Sequence, residues 1–158
     1  MHSRWSTHGA PTEENAHPHH DCKSEIFLVH NGIIENYSEL RTELIKKGHI
    51  FTSETDTEAL VHLIEENRKQ NSIRNLEKAV KEALLQARGT YGLAVFDIKE
   101  PQKLIAARNF SPLLIGIGRG EYLVASDASA ILRHTRRVVY LEDGEIAVLT
   151  PKGYKISG

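Results

Sequence analysis

The feature that most constrains this chain is a change of texture at Tyr91. Before it, apolar residues recur at helical spacing. After it, short β-rich runs alternate with turn residues. Asn36 with Glu39 forms a capping pattern, Leu40, Leu44 and Ile45 supply one face, and Lys46, Lys47 and Gly48 end it, which predicts a helix of about three turns. Thr55 and Glu58 make a capping box for a second helix whose face is Leu60, Val61, Leu63 and Ile64. Leu76, Val80, Ala83, Leu84 and Ala87 predict a third over 73–86, stopping near Gly89. Beyond Tyr91, strands are expected at 91–98, 103–108, 113–117, 122–125, 138–141 and 146–149, with a short helix over 127–134. Turn signals at Pro101-Gln102, Gly118 to Gly120 and Asp143-Gly144 separate them. Helices followed by hairpin strands imply an α+β layered domain with a mostly antiparallel sheet, not a parallel α/β one. One further strand is expected earlier, over 25–30, delivering Asn31-Gly32 to a defined place.

Composition narrows the function classes. A chain of 158 residues is the length of one domain, and 40% apolar with 26% charged residues places it well inside the globular class. The net charge of -1 and the scattered Lys and Arg, paired only as at Lys46-Lys47 and Arg136-Arg137, argue against nucleic acid as a partner. The single cysteine, Cys22, allows no internal disulfide, and no apolar run approaches the roughly 18 residues of a membrane span. With no secretory pattern over 1–14, a cytoplasmic location away from membranes is expected.

Residues 1–24 are rich in Gly, Pro, His and Asn and lack periodicity, so polar side chains there are available for a site. The run His17-Pro18-His19-His20-Asp21 contains good zinc ligands, but proline interrupts it and no partner pair with recognised spacing follows. No metal and no cofactor are expected. Cys22 has histidines nearby in sequence, which says nothing of geometry, and it is read as an ordinary thiol. No Gly-x-Ser-x-Gly elbow, phosphate loop or dinucleotide fingerprint occurs, and Gly116, Gly118 and Gly120 join two strands instead of opening a helix.

Three segments remain: Arg4-Trp5-Ser6-Thr7-His8-Gly9, His30 to Tyr37 (HNGIIENY), and Ser53 to Glu58 (SETDTE). Singly they are a polar loop, a strand-ending turn and a helix cap. Their order and spacing, with Asn15-Ala16-His17-Pro18 between the first two, resemble the glutaminase domain of the class II glutamine amidotransferases, of the glucosamine-6-phosphate synthase type. The resemblance runs from His2 to Gly158 and takes in Tyr91-Gly92, Ser111-Pro112-Leu113 and Ser126-Asp127. It implies a four-layer αββα sandwich of the N-terminal-nucleophile kind and a single, partial amidotransferase domain over 1–158. The sugar isomerase domain of such enzymes is expected to be a partner in an intact parent.

The chemistry fits these residue types. Glutamine must be gripped as a zwitterion at one end and attacked as an amide at the other. The resemblance implies that Arg4 clamps the α-carboxylate, that Asp56 pairs with the α-ammonium, and that the Asn31 side chain and Gly32 N–H form an oxyanion hole. Trp5, Thr7 and His8 match a loop that closes over glutamine, and His17 a histidine beside it. The family attacks with an N-terminal cysteine, whereas His2 follows Met1 here. The expectation is therefore a domain lacking its N-terminal segment that binds L-glutamine or L-glutamate without turnover and is prone to self-association. Its intact parent would pass ammonia from glutamine to fructose 6-phosphate. A glutaminase domain of the amidophosphoribosyltransferase or asparagine synthetase type, or a noncatalytic module binding an amino acid or a partner, are the alternatives.

Overall fold

A computed structural model describes residues 18–70 and 75–158. Arg4, Trp5, Thr7, His8 and His17 lie outside the described residues, as does the expected start of the third helix at Ile73. The elements run β1 (His19–His20), β2 (Ile26–Asn31), α1 (Tyr37–Lys46), α2 (Asp56–Gln70), α3 (Leu76–Gln86), β3 (Tyr91–Asp97), β4 (Leu104–Asn109), β5 (Leu114–Gly118), β6 (Glu121–Ala125), α4 (Ala128–Leu132), β7 (Val138–Tyr140), β8 (Ile146–Thr150) and β9 (Gly153–Ser157).

Two antiparallel sheets form, a six-stranded one in the order β1-β2-β3-β4-β8-β9 and a three-stranded one in the order β6-β5-β7. Alternation along the strands divides the core. On β2, Ile26 and Leu28 join Leu93, Val95, Ile105 and Ala107 in packing beneath Leu44, Leu60, Ile64, Leu76 and Val80 of the helices. On the opposite face of the larger sheet, Ala106, Ala147 and Leu149 meet Ile115, Leu113 and Leu141 of the smaller one. The far face of the smaller sheet carries α4, so close that a Cβ on Gly116 would lie 2.4 Å from the Ile131 Cγ2. Helices, sheet, sheet, helix: this is an αββα layering, α+β as the texture change at Tyr91 implies.

Two caps are used differently from the sequence expectation. Asn36 precedes α1 without capping it through its side chain. Its Nδ2 instead donates to the Gln86 carbonyl (2.9 Å) and its Oδ1 accepts from the Arg88 N–H (2.8 Å), tying the start of α1 to the end of α3. At α2, Glu58 accepts from the backbone N–H groups of Thr52 (2.8 Å) and Ser53 (2.6 Å), so it braces the approaching loop and not the Thr55 amide. Asn75 caps α3 by accepting from the Lys78 N–H. Strands β1 and β9 were not anticipated. The first is two residues long, and the second, with the sequence GYKIS, is a half-exposed edge with weak alternation.

Candidate active site

The C-terminal end of β2 is where the expected residues gather. Asn31 pairs with Gly92 of β3, and its side chain lies on the intersheet face, in a cavity of about 690 Å³ also lined by Pro18, Val29, Leu113 and Ser126. That volume is in the range of small-molecule sites. Gly32 follows with φ of +130°, and a Cβ there would sit 2.3 Å from the Thr90 carbonyl oxygen. Only glycine fits, for both reasons. Thr90 secures the turn further: its N–H donates to the Ile33 carbonyl (2.8 Å) and its hydroxyl accepts from the Ile33 N–H (3.0 Å).

Asp56 reaches the same end of β2 from the helical layer. It opens α2, is 0% exposed, and accepts the Ile34 N–H on Oδ2 at 2.8 Å. Its Oδ1 is buried and has no hydrogen-bond partner among the described residues. A buried carboxylate oxygen without a donor costs free energy that a structural cap would not need to spend. The neighbouring contacts are complete by contrast. His30, buried, donates from Nε2 to the Thr90 carbonyl (3.2 Å), and in its neutral form accepts the Thr57 hydroxyl on Nδ1 (3.0 Å). The structure therefore bonds Asp56 to Ile34, two residues beyond Gly32, at the end of β2 where Asn31 stands. Gly32 and Asp56 do not line the intersheet cavity that Asn31 lines.

The run from His19 to Asp21 does not converge on a common point. His19 Nε2 meets the Thr55 hydroxyl (2.9 Å), His20 Nδ1 lies 2.8 Å from the Asp21 carbonyl, and Asp21 Oδ1 accepts the N–H groups of Glu25 and Ile26. Cys22 lies at the opposite end of β2 from Asn31, and six extended residues span roughly 20 Å. It faces His49, His62 and Glu65 instead, a cluster the sequence did not disclose because it joins two loops to a helix. Burial pushes the Glu65 carboxyl up, but hydrogen bonds from His62 and the Cys22 N–H and the nearby His49 outweigh it and hold the group at about 2. Glu58 is likewise held at about 2 against burial, by His62, Ser53 and the Thr52 amide. Burial lowers His62, and the Glu58 and Glu65 carboxylates more than offset it and raise it above the ordinary value. Burial also pushes the Cys22 thiol up.

A family model described as a glutamine amidotransferase domain matches residues 2–133. The glutamine–fructose-6-phosphate aminotransferase (isomerizing) of Chlorobaculum tepidum is 52% identical over 155 residues, 98% of this chain and 25% of that protein. Its namesake in Methanothermobacter thermautotrophicus is 55% identical over 148 residues, 94% of this chain and 25% of that protein. The chain thus spans about a quarter of the length of these curated relatives. Among solved structures, the glutamine phosphoribosylpyrophosphate amidotransferase of B. subtilis superposes with a TM-score of 0.78 at 29% identity, covering 99% of this chain and 33% of that one. On the family model over residues 2–133, on identity to these relatives and on fold, this chain belongs to the glutamine amidotransferase domain family.

Proposed function

We propose that the chain is one glutamine-handling domain that binds L-glutamine at the C-terminal end of β2. Asp56 takes the α-ammonium on its unpaired Oδ1, while the Asn31 amide and the Gly32 N–H receive the oxyanion that develops on the side-chain carbonyl. Arg4 grips the α-carboxylate through a two-pronged contact that lysine could not reproduce. Trp5, Thr7, His8 and His17 shape and close the pocket around it. The observation that carries this reading is Asp56: a fully buried carboxylate with one oxygen fixed by Ile34 and the other awaiting a donor. An ammonium group supplies both the hydrogen bond and the opposite charge that such an oxygen lacks.

Breaking the side-chain amide to release ammonia needs a nucleophile, and the single thiol of these 158 residues stands at the wrong end of β2. For this chain by itself the reading is binding without ammonia release. In a longer parent, the ammonia would go to fructose 6-phosphate through a sugar isomerase partner domain. Relatives of that name are 52% and 55% identical, against 29% for the phosphoribosylpyrophosphate enzyme, which supports the sugar-phosphate acceptor over the alternatives. Calorimetric titration with L-glutamine and with 4-carbamoylbutanoate, its analogue without the α-amino group, tests the reading. Glutamine is expected to bind at least tenfold more tightly, the equivalent of about 1.4 kcal/mol or more. Equal affinities would remove the role given to Asp56.

A further inference from the structure

At the other end of β2 the folding of three separate segments converges. Asp21 Oδ1 collects the N–H groups of Glu25 (2.8 Å) and Ile26 (3.2 Å), closing a tight turn that holds Cys22 in place. Gly48, at φ +99°, ends α1 in a Schellman arrangement: its N–H donates to Ile45 and that of His49 to Leu44, which turns His49 back over α2. On α2 itself, His62 and Glu65 are three residues apart and share a face.

Four donor atoms end up together. Cys22 Sγ lies 3.6 Å from His49 Nδ1 and 3.5 Å from His62 Nδ1, and the two Nδ1 atoms are 3.3 Å apart. Glu65 Oε1 is 3.0 Å from His49 Nδ1 and 3.5 Å from His62 Nδ1, and all four atoms fall within 4.8 Å of one another. A regular tetrahedron with edges like these five would have its centre about 2.1 Å from each corner, the bond length of zinc to nitrogen and oxygen and slightly under that to sulfur.

The outer nitrogens settle which way the imidazoles point. His49 Nε2 lies 2.5 Å from Glu66 Oε2, and His62 Nε2 lies 3.0 Å from Glu58 Oε2. Ionised carboxylates only accept, so both Nε2 atoms carry hydrogen, and in the neutral rings both Nδ1 lone pairs are aimed at each other, at a thiol sulfur and at a carboxylate. A cation at the point these four atoms face would offset their mutual repulsion. A carboxylate behind each imidazole is also the arrangement that fixes tautomer and basicity in metal-bound histidines.

We propose that Cys22, His49, His62 and Glu65 form a closed, four-coordinate site for a divalent transition-metal ion, zinc by its donor set and shape, with Glu58 and Glu66 orienting the two histidines. One sulfur, two imidazoles and a carboxylate in a tetrahedron select zinc over magnesium or calcium, which take octahedral or larger oxygen shells. With all four positions filled by protein, the ion is structural: it fastens the β1–β2 turn and the α1–α2 loop to α2, the helix that Asp56 opens. The sequence expectation of no metal rested on the run from His17 to Asp21, on the lack of a ligand pair with recognised spacing and on reading Cys22 as an ordinary thiol, none of which discloses this cluster.

The test uses the full chain, expressed with zinc and exchanged against a weak chelator. About one zinc per chain is expected by elemental mass spectrometry. Cobalt exchanged into it should show the intense visible absorption of a tetrahedral ion together with a thiolate-to-cobalt charge-transfer band. Cys22→Ser should abolish that band and lower zinc affinity by about tenfold or more, and His62→Gln should lower it similarly. His20→Gln, a neighbouring histidine outside the tetrahedron, should leave both unchanged. Cys22 is solvent-exposed, so its serine variant does not hinge on folding, and circular dichroism verifies that. A chain that retains no zinc, or retains it equally in Cys22→Ser and His62→Gln, overturns the proposal.

Discussion

Asp56 combines two roles that pull in opposite directions. As the first residue of α2 it complements the helix dipole and holds the Ile34 N–H, which stabilises the local fold. As a fully buried anion with Oδ1 unpartnered, it carries a desolvation cost that nothing else in the described protein offsets. Asp56→Asn preserves an acceptor for Ile34 and removes the charge. Its melting temperature in the absence of ligand is therefore expected to equal or exceed that of the unmodified chain, a result a purely structural cap would not give. Differential scanning calorimetry measures it directly. Gly32 has no such latitude. Alanine there would force a side chain into positive φ and against the Thr90 carbonyl, so Gly32→Ala is expected to cost about 2 kcal/mol or more, read as a lower urea midpoint with unchanged slope.

Between elements, the joins matter more than the caps. Asn36 spends both ends of its amide on the α3 terminus, so Asn36→Ala should leave a carbonyl and an N–H short of partners and destabilise by about 1–3 kcal/mol. Were Asn36 a simple N-cap, replacement by Ser or Asp would restore stability; with two long-range bonds to satisfy, neither should. This residue also shows what the sequence could and could not convey. The helices, the strands after Tyr91 and the strand ending at Asn31 were legible because hydrophobic period and turn chemistry are local. Asn36, Glu58 and the close approach of Gly32 to Thr90 were not, since their partners lie five to fifty-eight positions away and Asn and Glu side chains serve local and distant donors alike. The same limit hid Cys22, His49, His62 and Glu65: two of the four sit in loops, and none shows ligand spacing with another beyond the helical pair. For the proposed glutamine site, motif order suggested the residues, but only the fold discloses that Asp56 has an oxygen without a partner among the described residues.

At the scale of the whole molecule, α2 is the hub. It packs against α1, α3 and β2, carries Asp56 at one end, and through Arg68 holds Asp97 of β3, a fully buried carboxylate whose other oxygen accepts the Lys99 N–H. Arg68→Ala would leave that charge without its partner and is expected to destabilise by about 3 kcal/mol, visible as a shift in the denaturant midpoint. Among the described residues no helix is long and apolar enough to cross a membrane. The smaller sheet depends on the close seat of α4, where Gly116 admits Ile131, and this layer forms the far wall of the cavity beside Asn31. Sheet and helix hub thus set Asp56 on the helical side and Asn31 on the cavity side of the same end of β2, the two groups to which the proposed function gives the ammonium and the oxyanion. The most direct measurement is a calorimetric titration of L-glutamine into the intact chain and into its Asp56→Asn variant, both shown to be folded. The account predicts saturable binding to the first, weakened by about tenfold or more in the second at undiminished stability. Equal binding by both, or none by the unmodified chain, would contradict it.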